Sequence, residues 1–257
     1  MPTNDVIDRE GDGRASAAGL YLRRERLFYV IAAFISLLVS LTGFRHFYYA
    51  GQGFGGNPLT HQIVPLILTH AFAMSSWVVL FLVQSLLIRS GKFRLHMLLG
   101  RVGGALAVAI VGLGSAMAIL SAHHNPQAYL MFSGGKFFLM EMLTEILLFG
   151  VLVAIGIAWR RRAEIHRPVM LVATVVIMSG ALARCPLIDY LAATGPLYAY
   201  GPVLLFGLLM LALHCAITRR FQRYHAMALG AVAIVFLLSM PLGHSAAWQQ
   251  LLGSYIP

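Results

Sequence analysis

The chain alternates long apolar runs with short polar breaks, most of them basic. Seven runs stand out, at residues 27–44, 63–88, 102–121, 137–159, 168–183, 197–217 and 226–243. A hydrocarbon core of about 30 Å asks for roughly 20 apolar residues per helix. The runs are continuous and do not alternate at period two, which predicts helices and not a β-barrel. The fifth is the shortest and is expected to run on towards Pro186. The expected fold is all-α: a polytopic membrane bundle of seven transmembrane helices over residues 26–245. A disordered cytoplasmic tail at 1–25 and a short external tail at 246–257 flank it.

Composition agrees with that pattern. Of 257 residues 59% are hydrophobic and 11% charged, with a mean hydropathy of +0.79. A soluble domain carries about a quarter charged residues, so a soluble globule is excluded, as is a disordered chain. Two cysteines and no glycine period exclude a disulfide scaffold and a collagen. Cys185 and Cys215 fall near opposite ends of their helices, too far apart for a disulfide. The first run is not a signal peptide, because the region before it is too long and no small-residue cleavage site follows.

The net charge of +10 reads as topology. With the N-terminus in the cytoplasm, 16 of the 19 basic residues fall inside, and only Arg45, Lys136 and Arg184 fall outside. The positive-inside rule then predicts N-in and C-out, in a bacterial inner membrane, with no nucleic-acid partner. Three turns repeat a basic cluster, a histidine and an apolar helix: Lys92 to His96, Arg160 to His166 and Arg219 to His225. They predict three similar hairpins after a lone first helix. The third run carries Gly100, Gly103, Gly104, Gly112 and Gly114. Its Gly100–Gly104 spacing offers a close-approach face, for packing within the bundle or for a partner subunit or second copy.

Ionisable residues inside hydrocarbon cost a few kcal/mol each, by order of magnitude, and ask for a reason. Glu141 and Glu145 lie four apart, hence on one helix face, about 6 and 12 Å below the outer boundary. His70 on the second run descends about 10 Å and so matches Glu145 in depth. Arg184 and Asp189 reach the same layer from the fifth run. A His70–Glu145 pair is expected to exchange protons near neutral pH or to hold a divalent metal. The competing structural role is a hydrogen-bonded clamp between helices.

A b-type haem would need two histidines at one depth. Only His70 lies deep, so the candidates are His70 with His46, or two of the inner set His96, His166, His214 and His225. That inner set is more simply an interfacial layer beside the arginines, facing lipid phosphates. Covalent haem attachment, a phosphate loop, a nucleophile elbow, a zincin motif and a dinucleotide fingerprint are all absent.

His70, Trp77, Gln84, Gly91, His96 and Gly100 together spell His-x6-Trp-x6-Gln-x6-Gly-x4-His-x3-Gly. With Glu145-Ile-Leu-Leu-Phe, His166-Arg-Pro and Arg184, this resembles a family of predicted bacterial inner-membrane proteins, over roughly 47–184. Met97 stands where that family usually has Arg, and Glu145 where it usually has Asp. The resemblance implies that His70, Glu145, His96, His166 and Arg184 belong to one shared pattern, and it implies no particular activity. Histidines at helix ends give a fainter resemblance to multi-helix b-type cytochromes. The function expected is a polar site in the outer half that binds or moves a proton, a metal ion or a small ligand. Its residues are His70, Glu145, Glu141 and Arg184. The alternatives are a haem protein using His70, His46, His96 or His166, and an assembly subunit without its own chemistry.

Overall fold

The computed structural model describes residues 4–53, 57–124, 136–185 and 200–253, with side chains from residue 18 onward. Among those residues the regular structure is helical, with no strand. The helices are α1 (Asn4–Gly43), α2 (Arg45–Ala50), α3 (Val64–Arg89), α4 (Phe93–His124), α5 (Lys136–Ala158), α6 (Ala163–Ile177), α7 (Ser179–Leu182), α8 (Gly201–Thr218), α9 (Arg223–His244) and α10 (Ala246–Leu251). Helix α1 takes in most of the stretch whose composition predicts a tail. Asp189 and the expected run-on to Pro186 lie outside the described residues.

Among the described residues six helices are long and apolar enough to cross a membrane: Ala18–Gly43, His61–Arg89, Phe93–His124, Lys136–Ala158, Gly201–Thr218 and Arg223–His244. The run at 168–183 takes a different form. Helix α6 begins earlier, at Ala163, and is 15 residues long. It breaks at Met178, with φ −86° and ψ 4°, before α7 resumes for four residues. The apolar run is therefore divided between two shorter helices.

The long helices form a closed ring in the order α1, α3, α4, α5, α9, α8, with α6 against the interior. Leu171, Val172, Ala173, Thr174, Val175 and Val176 of α6 are fully buried. The ring helices instead turn one side outward, as Phe72 of α3 and Val108 of α4 do at 76% and 75% exposure. A helix apolar on every side suits such a central post. Its one buried hydroxyl is satisfied: Thr174 Oγ1 donates to the Met170 carbonyl at 3.0 Å and accepts from Trp77 Nε1 at 3.2 Å.

Cross-contacts separate the two ends of the bundle. At one end Arg167 pairs with Glu25 at 2.6 Å, Arg26 lies over Phe93 and Arg220 over Tyr21. These contacts gather the basic turns at one end. At the other end Arg45 donates to the Arg184 carbonyl at 3.2 Å, and the Lys136 carbonyl accepts from Trp248 Nε1 at 2.8 Å. The segregation of basic residues seen along the sequence is thus a segregation in space.

Two of the three repeated turns share one device. His166 Nδ1 bonds the Gly156 carbonyl at 2.8 Å, and Met170, one turn on, covers that glycine, where a Cβ would meet Met170 Sδ at 2.6 Å. His225 Nε2 bonds the Gly207 carbonyl at 3.1 Å, and Leu229 covers Gly207 at the same 2.6 Å. The α3–α4 hairpin reverses the sizes. One turn after His96 stands Gly100, facing Gln84 of α3, whose Nε2 donates to the His96 carbonyl at 3.2 Å. The turn itself needs Gly91, which has φ +72°, a left-handed conformation that costs glycine little.

Candidate functional site

Helix α5 points Glu141 and Glu145 into the bundle, 6% and 7% exposed. Glu145 Oε2 accepts a hydrogen bond from Ser179, the first residue of α7. That hydroxyl follows directly on the break at Met178. Glu145 Oε1 is buried without a hydrogen-bond partner. Across from the acids, the Tyr200 hydroxyl meets Ser239 at 2.7 Å, and Thr144, Glu141 and Glu145 are among its polar neighbours. Tyr200 is fixed by stacking on Phe236, with centroids 3.8 Å apart. The layer therefore combines two carboxyl groups with hydroxyls from α7, α9 and the start of α8.

The other expected members of this layer stand apart. His70 lies at the level of Gly114 and Ile146, since a Cβ on Gly114 would meet both side chains, at 3.3 and 3.1 Å. Helix α4 stands between α3 and α5 in the ring, so His70 shares the depth of Glu145 without a hydrogen bond to it. Its Nδ1 is buried without a partner. The Arg184 guanidinium donates to the Gly180 carbonyl at 2.6 Å and lies over the Phe44 ring. The partner of Glu145 is the Ser179 hydroxyl. Sequence reasoning missed Ser179, Tyr200 and Ser239, because a serine or tyrosine near a helix end carries no signal of what it faces.

The histidines divide into separate groups. His46 is exposed on α2, and among the described residues no ring contact joins it to His70. His214 and His225 are fully buried, which corrects the expectation that they face lipid. Helix α1 covers His214 with Phe28, edge-on at 4.9 Å. His96 and His166 meet edge-on with centroids 6.4 Å apart. The Gly156 carbonyl can only accept, so His166 Nδ1 is the donor in that bond.

His96 and His166 line a cavity of about 390 Å³ at the basic end, bounded by α1, α3, α4, α5 and α6. Gly100, Gly103 and Gly104 belong to its wall. These glycines face Gln84, Leu80 and Ile157 of the chain's own α3 and α5. Trp77 closes part of the wall, held by Thr174 and by an edge contact with Phe149 at 4.9 Å. Among the described residues no three His, Cys, Asp or Glu side chains come together as a metal-binding group, and Cys185 and Cys215 are both free thiols.

Fold and site define a multi-pass helical bundle of membrane character, with a buried acid layer towards one end and a cavity at the other. No family model matches the chain, and neither the curated proteins nor the solved structures contain a match to it.

Proposed function

We propose that this is a bacterial inner-membrane protein of seven spans, N-in and C-out, whose Glu141–Glu145 pair binds and passes a proton in the outer half. The observation that carries the reading is two buried carboxyl groups, side by side on α5, with hydroxyl neighbours and, among the described residues, no ion pair to either. Removing an ion from water costs several kcal/mol, on the order of the idealised penalty after relaxation, and a second like charge beside it adds to that cost. A shared proton relieves both. The unpartnered Oε1 of Glu145 is an acceptor at which a proton can arrive, and the chain of hydroxyls through Tyr200 and Ser239 offers a path to the bundle end. The seventh span in this reading is α6 with α7. Together with Met178 they cover residues 163–182, about 30 Å at 1.5 Å per residue, and join the basic end to the end that holds Arg184.

Infrared difference spectroscopy of the purified protein between mildly acidic and mildly alkaline buffer tests the proposal. The expected result is a titrating band from a protonated carboxyl group that disappears in Glu145→Gln while the variant stays folded. A band that survives in both Glu141→Gln and Glu145→Gln overturns the reading. Failure of both variants to accumulate in the membrane assigns the pair to a structural clamp.

A further inference from the structure

The cavity at the basic end has a property that its apolar lining does not explain. Four buried polar atoms without hydrogen-bond partners belong to residues of its wall: Arg26 Nε, Tyr29 Oη, Gln84 Oε1 and His96 Nδ1. Orphaned groups of this kind each cost about 1–3 kcal/mol, and four around one space point to a missing partner molecule. Their chemistry is specific. Arg26 Nε only donates and Gln84 Oε1 only accepts, while the tyrosine hydroxyl can do both. The amide nitrogen of Gln84 is already committed to the His96 carbonyl, so its oxygen awaits a donor. The missing partner therefore carries both an acceptor and a donor.

Charge and shape narrow it further. Arg26, Arg160 and Arg167 all belong to the wall, and a single carboxylate, Glu25, which pairs with Arg167 and also neighbours Arg26, stands against the three among the described residues. The surplus is positive and favours an anionic head. Deeper in the bundle the wall is apolar, with Trp77, Leu80, Phe81 and Val153. Gly100 opens the space where the equivalent positions of the other two hairpins hold Met170 and Leu229.

We infer that this cavity binds an amphiphile whose head is a monophosphate ester and whose apolar chain lies between α3, α4 and α5. In its monoanionic form such a head accepts from Arg26 and Tyr29 and donates its remaining hydroxyl to Gln84. A diacylglycerol phosphate and a polyprenyl phosphate share this chemistry. The site is independent of the acid pair at the other end.

The test is calorimetric titration of the full chain in a neutral detergent, with dioctanoyl phosphatidic acid as probe. Dioctanoylglycerol, inorganic phosphate, a short-chain polyprenyl phosphate and a short-chain ubiquinone analogue serve as comparisons. The expected result is saturable one-to-one binding of at least one lipid phosphate, with the diacyl and prenyl probes showing which chain fits. Arg26→Gln and Tyr29→Phe should each weaken it by about tenfold, the loss of one charge-assisted hydrogen bond. Gly100→Leu should abolish it by filling the cavity, and Glu145→Gln should leave it unchanged. Should Gly100→Leu fail to fold, the Arg26 and Tyr29 variants carry the test. Equal binding of dioctanoylglycerol overturns the inference, as does inorganic phosphate binding as tightly as the lipids. It also fails if the ubiquinone analogue binds best and ignores Arg26→Gln. A Soret peak with a sharp α band in the reduced-minus-oxidised spectrum of the purified protein would assign the cavity to haem instead.

Discussion

Arg167→Met should destabilise the bundle by about 3–5 kcal/mol, the usual result of removing one partner from a buried ion pair. Glu25 of α1 is 4% exposed at its side chain and accepts from Arg167 Nη1 at 2.6 Å. With the guanidinium gone, its carboxylate stays inside the bundle with only the Tyr21 hydroxyl and the neighbouring Arg26 to offset its charge. The pair also links the middle of α1 to the start of the central helix, so the loss falls on two elements at once. The double variant Glu25→Gln with Arg167→Met should recover most of the stability, because it leaves no charge behind. Melting temperatures of the two single variants and the double in one detergent give the coupling through a double-mutant cycle. A cycle that closes near zero would show that solvent reaches both groups and that the pair contributes little.

Gly43→Ala should be comparably severe for a different reason. A Cβ at that position falls on the backbone of Ala181, with the carbonyl oxygen nearest and the carbonyl carbon and Cα 2.8 Å away. Side chains can turn aside, but here backbone meets backbone, and relief requires α1 to separate from α7. Overpacking of this kind costs about 1–3 kcal/mol and more where nothing can yield. The displacement is transmitted to the acid layer, since Ala181 is two residues beyond Ser179, the hydroxyl that meets Glu145. Gly112→Ala is the matching control. Nothing lies within 4 Å of its Cβ position, and alanine in a helix should gain about 0.5–1 kcal/mol over glycine. Thermal melts of the two variants should therefore move in opposite directions, and equal shifts would place Gly43 outside the contact.

Much of this architecture is legible along the chain, and the reasons are local. Four of the six long apolar helices begin and end within a few residues of their apolar runs; α1 starts far ahead of its run, at Asn4, and α4 continues through the polar segments at 93–101 and 122–124. Backbone hydrogen bonds keep a helix going past its apolar stretch, so hydropathy marks only the part facing hydrocarbon or core. The four-residue spacing of Glu141 and Glu145 fixes a shared face by helix geometry alone. Trp77, Gln84, His96 and Gly100, four residues singled out by their spacing, all belong to the cavity wall, with Trp77 bonded to Thr174 and Gln84 to the His96 carbonyl.

What lies opposite each face is a property of the assembled ring. Helices apolar on every side carry no directional signal, so nothing in the run at 168–183 reveals that it sits innermost or that it breaks at Met178. Ser179, just past that break, meets Glu145, while α4 stands between His70 and the acid that matches it in depth. The same non-local logic makes the cavity: a glycine at 100 reads as a packing seam until its neighbour is known to be Gln84. Sequence by itself determined the helices, their polar ends and the acids that share a face, because each follows from contacts within a few residues. Tertiary structure decided which groups meet, because the order of helices around the centre is set by packing between segments far apart in the chain.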